Sequence, residues 1–187
     1  MDIYLIRHTR LLDVEGLCYG RADVQLGPDF LIEVEEVKSK LGPLEHPIVY
    51  SSPSLRCRSL GQLLSPEPIQ ISPELAELDF GSWEKKPWAA IPVTDIEFWS
   101  RNILESSPPL GESLRGMMNR VLPFLEGLLH KKAADVLLIT HAGPIRIILS
   151  HLLKKDPKDM FSIPVGFGSI SKINCRDGKA EVAFVNR

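Results

Sequence analysis

The sequence predicts a three-layer α/β/α fold with a mostly parallel central sheet and an antiparallel hairpin at its C-terminal edge. Three observations predict it. Short apolar runs of strand length alternate with segments whose apolar residues recur at helical spacing. One run, Val136-Leu137-Leu138-Ile139-Thr140, is apolar almost throughout, as a central strand buried on both faces should be. The last two runs, Ser169 to Asn174 and Ala180 to Val185, are joined by a short turn containing Asp177-Gly178, the pattern of a hairpin.

In chain order, Ile3-Tyr4-Leu5-Ile6 reads as a buried strand that delivers Arg7 and His8 at its C-terminal end. Thr9 to Leu26 has no sustained period and carries Gly16 and Gly20, so it is a long loop of the kind that tends to be functional. Phe30, Leu31, Val34, Val37 and Leu41 form a helical stripe ended by Gly42. Ile48 to Ser51 is a second strand, and Ser52-Pro53 reads as N-cap and first residue of a helix through Leu64. Ile69 to Ile71 is a third strand. The stretch from Trp83 to Gly111 is rich in Pro and Trp, with one helical segment around Asp95 to Leu104, and is expected to lie over the sheet as a lid-like insertion. Ser113 caps a helix bearing Leu114, Met117, Val121, Leu125 and Leu128, which Pro123 should kink or divide. After Val136 to Thr140 come His141-Ala142-Gly143 and a helix with Ile145, Ile148 and Leu149.

With 187 residues, 44% hydrophobic and 25% charged, the chain suits a single globular domain over 1–187, with the insertion at 83–111. A net charge of −2 and a pI near 6.2 argue against nucleic acid as partner. Cys18, Cys57 and Cys175 are odd in number and form no Cys-x-x-Cys pair, so they fit free thiols of a cytoplasmic protein better than disulfides or a zinc site. No apolar run approaches membrane length, and no membrane partner is expected.

Arg7, His8, Arg56, Glu77 and His141 come from four segments, yet each falls at or just past a predicted strand end, where open α/β sheets bind ligands. Two imidazoles, two guanidinium groups and one carboxylate are the parts needed for phosphoryl transfer through a phosphohistidine. A neutral His8 attacks phosphorus, while Arg7, Arg56 and a protonated His141 hold the phosphoryl oxygens. Glu77 protonates the leaving alcohol. The guanidinium groups supply the charge, so no metal and no cofactor is expected, and the partner is a small phosphorylated metabolite.

Leu5-Ile6-Arg7-His8-Thr9, Ser51-Ser52-Pro53-Ser54-Leu55-Arg56, Leu75 to Glu84 and Thr140-His141-Ala142-Gly143-Pro144-Ile145-Arg146 together resemble the histidine phosphatase superfamily, the phosphoglycerate-mutase-like fold. The resemblance implies Arg7 and Arg56 as phosphate-pocket arginines, His8 as nucleophile, Glu77 as proton donor and His141 as second pocket histidine, with the Ala142 N–H as a further donor. Residues Gly16 to Val24 and Pro109 to Ser113 resemble α-ribazole-phosphate phosphatases within that superfamily, which implies Tyr19, Gly20 and Arg21 as substrate contacts. Thr9 stands where the superfamily usually has glycine, so its hydroxyl is expected to face the phosphate. Arg10 is open to two readings, anion contact or solvent.

Phosphoglycerate mutase is the alternative activity, disfavoured by the short segment from Trp83 to Gly111, and a silent phospho-ligand module is a third reading. His46, His130 and His151 lack such company and are expected to be structural or solvated. Trp83, Trp88 and Trp99 are expected to pack the insertion. Cys57, between Arg56 and Arg58, sits where cations lower a thiol pKa, but no cysteine has the arginine six residues on that a cysteine-phosphatase loop needs. Gly166-Phe167-Gly168 lacks the third glycine of a dinucleotide fingerprint.

Overall fold

The computed structural model describes residues 1–130, 134–176 and 179–187. Its strands are β1 (Asp2–Arg7), β2 (Ile48–Ser51), β3 (Gln70–Ile71), β4 (Val136–Thr140), β5 (Ile170–Arg176) and β6 (Lys179–Phe184). They form one sheet in the order β3-β2-β4-β1-β5-β6. The first four run parallel, and β5 and β6 close the edge antiparallel. The predicted hairpin is thus present as a strand pair, while its Asp177-Gly178 turn lies outside the described residues.

The helices are α1 (Phe30–Leu41), α2 (Leu55–Leu64), α3 (Val93–Arg101), α4 (Leu114–Leu129) and α5 (Ala142–Leu152). Alternation along the strands decides which face each helix covers. Ile3, Leu5 and Leu138 pack with α4 and α5 through Val121, Leu125, Ile145 and Leu149. Tyr4, Ile6, Leu137 and Ile139 pack on the other face with Val34 and Val37 of α1 and Leu60 of α2. All five residues of β4 are buried, because both neighbours and both layers cover it.

Two local expectations are corrected. Pro123 removes one helical N–H, yet α4 runs unbroken past it. The buried stripe Leu114, Met117, Val121, Leu125 and Leu128 supports the helix on both sides of that gap. Ser52 is not a cap: α2 begins at Leu55 with Ser54 at its N-cap, because the Ser52 N–H donates to Ile139 O and prolongs the β2–β4 ladder. The insertion contains short 3₁₀ turns and α3, which starts two residues earlier than the periodicity suggests.

Register positions the chemistry. Arg7 pairs with Thr140 and Ser51 with Ile139, so Arg7-His8, Ser51-Ser52 and Thr140-His141 leave the sheet side by side at the carboxyl end of its parallel strands. The His8 N–H donates to Thr140 O and continues the ladder by one step. No helix of the described residues is long and apolar enough to cross a membrane.

Candidate active site

His8 and His141 are buried, with ring centroids 5.2 Å apart in an edge-on arrangement. His8 Nδ1 lies 2.8 Å from Thr9 O. A carbonyl only accepts, so Nδ1 carries the proton and Nε2 presents its lone pair. Burial, then the nearby Arg56 and Arg7 charges, hold the His8 imidazole well below its ordinary pKa. His8 is therefore a neutral base with a free nitrogen, the state a nucleophile needs.

Arg56 is fully buried. Its Nε–H donates to His141 Nδ1 at 3.3 Å, and its terminal nitrogens donate to Ala22 O at 2.9 Å and Gly20 O at 2.5 Å. Three of five N–H groups are thereby used, and among the described residues none meets a carboxylate. A buried cation balanced only by neutral acceptors costs several kcal/mol, on the order of the desolvation penalty of one ion, unless an anion joins it. Arg7, partly buried, is similar: Nη1 donates to Val165 O at 2.7 Å, Cζ lies 3.8 Å from the Phe167 ring centroid, and Nε is buried with no acceptor among the described residues.

His141 departs from expectation in its charge. Accepting from Arg56 at Nδ1 leaves its proton on Nε2, which lies 2.8 Å from Ser52 Oγ. Burial and the Arg56 charge push its pKa well down, so His141 is neutral and not the imidazolium anticipated above. The positive charge of the pocket rests on Arg7 and Arg56. Ala142 is the first residue of α5, so its N–H belongs to the free donors of a helix N-terminus, which favour anions.

Glu77 stands across from these groups. The Gly143 N–H donates to its two carboxylate oxygens at 3.2 and 3.3 Å, and the Leu78 N–H to Oε1 at 3.1 Å. A Cβ on residue 143 would collide with Glu77 Oε1, which is why glycine stands there. The backbone around Glu77 is clamped from behind. Arg120 of α4 donates to the carbonyls of Glu74, Ala76 and Glu77 and pairs with Glu112 at 2.8 Å.

The loop after β1 closes the pocket. Glu84 accepts from the N–H groups of Gly20, Arg21, Ala22 and Phe80 and so fixes the loop against the segment holding Glu77. Tyr19 lies 5.7 Å from Arg56 Cζ by its ring centroid and lines a cavity of about 120 Å³ with Glu77, Ala142 and Arg146. Gly20 serves through its carbonyl on Arg56, and the Arg21 side chain, half-exposed, pairs with Asp79 and Glu112. Thr9 is buried, and among the described residues its Oγ1 has no hydrogen-bond partner. Arg10 pairs with Glu33 at 2.8 Å.

The structure thus brings together Arg7, His8, Arg56, Glu77, His141, Tyr19 and Ala142. It adds Ser52, Arg120, Glu84 and Phe167, whose contacts are long-range and carry no local signal. Burial pushes the Cys57 thiol up to about 12, overriding the flanking arginines. His46, His130 and His151 are exposed. Trp83, Trp88 and Trp99 pack on one another and on Phe80. A larger cavity of about 500 Å³ is lined by Gly42, His46, Pro47 and Glu67, next to the amino ends of β2 and β4 and so at the other end of those strands from this cluster.

A family model described as histidine phosphatase superfamily (branch 1) matches residues 3–187. The adenosylcobalamin/α-ribazole phosphatase of Escherichia coli is 24% identical over 194 residues, covering 100% of this chain and 96% of that protein. A 2,3-bisphosphoglycerate-dependent phosphoglycerate mutase of Cytophaga hutchinsonii is 26% identical over 180 residues, 89% of this chain and 84% of that one. The crystal structure of the α-ribazole phosphatase from Shigella flexneri superposes with a TM-score of 0.89 at 23% identity, covering 100% of this chain and 96% of the other.

Proposed function

The chain belongs to the histidine phosphatase superfamily, and from that premise we propose that it hydrolyses phosphate monoesters of small metabolites through a phosphohistidine on His8. The observation that carries this reading is the His8 Nε2 lone pair, freed by the Nδ1 bond to Thr9 O, beside buried Arg56 and partly buried Arg7, neither of which has a carboxylate partner among the described residues. In the first step Nε2 forms a bond to phosphorus, the P–O ester bond breaks, and Glu77, as general acid, delivers a proton to the departing alkoxide. Arg7, the two spare N–H groups of Arg56 and the Ala142 N–H stabilise the phosphoryl oxygens. In the second step Glu77 takes a proton from water, whose oxygen displaces His8 and releases inorganic phosphate. Thr9 and Tyr19 are assigned to the pocket wall, Gly20 and Arg21 to its support.

For the alcohol, α-ribazole 5′-phosphate is the reading supported by the motifs at Gly16 to Val24 and Pro109 to Ser113 and by the Escherichia coli relative. A second reading, a small carboxylate-bearing alcohol such as serine or glycerate, is favoured by Arg146 in the cavity beside Glu77. A panel of phosphate monoesters covering both, assayed with chelator and with vanadate, tests the function. Phosphate release unchanged by chelator and blocked by vanadate is expected. Activity lost in chelator and restored by a divalent ion would refute it.

A further inference from the structure

Arg146 lies one turn into α5, in the wall of the cavity that starts at Glu77, the group assigned to protonate the leaving alcohol. Its Nε–H donates to Ile163 O at 3.0 Å, and its Cζ lies 5.8 Å from the Phe161 ring centroid. Among the described residues, its two terminal nitrogens meet no acceptor and no carboxylate lies within ion-pair distance. Burial lowers its pKa while the Glu77 charge raises it, so guanidinium and carboxylate sense one another without pairing. Leu114, Met117 and Met160 make the cavity otherwise largely apolar. In such surroundings one charged contact is strong, and an unpaired cation is costly.

We propose that Arg146 is the specificity determinant of the leaving-group side and binds a carboxylate on the alcohol, a few bonds from the ester oxygen. The end-on pair of terminal N–H groups matches a carboxylate bidentately, which a single ammonium cannot do. The size of the cavity agrees. At about 120 Å³ it is well below the roughly 300–1,000 Å³ of pockets for drug-sized ligands, and it suits an alcohol of few heavy atoms. This inference rests on the phosphatase reading above and selects between its two alcohols.

The test uses matched esters with and without the carboxylate: O-phosphoserine against O-phosphoethanolamine, and 3-phosphoglycerate against glycerol phosphate. The intact protein should prefer the carboxylate member of each pair. Arg146→Gln should collapse that ratio of kcat/KM by about 10- to 100-fold, the worth of one charged hydrogen-bonded contact, mainly through KM. Arg146→Lys should restore part of it. Equal loss on both members, no preference in the intact protein, or a preference for α-ribazole 5′-phosphate untouched by Arg146→Gln would each overturn the proposal. Phosphoenzyme formed from p-nitrophenyl phosphate separates the levels: if it forms, only the assignment of Arg146 fails, and if it does not, the phosphatase reading fails with it.

Discussion

The two sides of the active cleft are built differently. On the phosphate side, Arg56 and His141 are fully buried and His8 is 2% exposed; the two histidines stand at strand ends, and Arg56, in the first turn of α2, is held by His141, Gly20 O and Ala22 O. On the leaving-group side, α3 has no buried residue, and Val93, Phe98 and Leu110 are 69%, 71% and 93% exposed. The phosphate pocket is held by the sheet and α2, whereas the leaving-group cavity joins Arg146 of α5 to Trp99 of the less buried insertion. Such exposed segments tolerate change at small cost to the fold. Perturbing each side separately tests this division.

The largest effect is expected at Arg56. Arg56→Ala removes the donor of Gly20 O, Ala22 O and His141 Nδ1 together with the phosphate contact. kcat/KM should fall by about 10³-fold or more for every ester, and Lys should not rescue it, since an ammonium cannot replace a three-way fork. A loss that depended on the alcohol would break the division.

Glu77 should behave at the boundary of the two sides. Glu77→Gln should cost about 10²–10⁴-fold with alkyl esters, whose alkoxide needs a proton, and little in the phosphorylation step with p-nitrophenyl phosphate, whose phenolate does not. Water activation fails in both cases, so the variant should accumulate phosphoenzyme from the activated ester in rapid-quench experiments. Equal loss with both esters and no accumulation would reduce Glu77 to a structural part.

Next in size is a pH effect confined to the phosphate side. His8 and His141 are both held below the ordinary imidazole value of about 6.5 by burial and by the arginines. Below that value the unfolded chain binds protons that the folded chain refuses. The stability these neutral rings allow is complete above about pH 6.5 and is lost as the pH falls toward their folded values. Thermal melts should be level above pH 7 and drop on acidification, and His8→Asn should shrink that drop. The acid limb of kcat/KM should lie below pH 6.5. A melting temperature that rises on acidification would contradict the assigned neutral state.

Ser52→Ala should cost about fivefold, the worth of one neutral hydrogen bond, and shift the pH profile, because Ser52 Oγ is the partner of His141 Nε2. An unshifted profile would make Ser52 mere packing. The smallest effect belongs to the exposed insertion: Phe98→Ser should change stability by no more than about 0.5 kcal/mol, measured by urea unfolding.

What the sequence revealed follows the same division. The strand-end motifs were legible because the apolar runs Ile3 to Ile6 and Val136 to Ile139 mark β1 and β4, which placed Arg7, His8 and His141 at strand ends; their roles were read from their convergence with Arg56 and Glu77 and from the family resemblance. Ser52 was misread as a cap because a serine before Pro53 carries that local signal, whereas its actual partners, Ile139 and His141, are nearly ninety residues away. The charge of His141 was misjudged for a related reason: burial and the Arg56 contact are tertiary facts. The clamps of Arg120 on the Glu77 backbone and of Glu84 on Gly20 to Ala22 are carbonyl and N–H contacts between distant segments, and no spacing rule announces them.

Passage of phosphate through His8 is the step on which the mechanism depends. Rapid quench of the enzyme with ³²P-labelled ester, followed by proteolysis and peptide mapping, tests it most directly. The label should be stable in base, labile in acid, and confined to the peptide containing His8, and it should be absent from His8→Ala. Label on any other residue, or turnover by His8→Ala at the rate of the intact protein, would contradict the account.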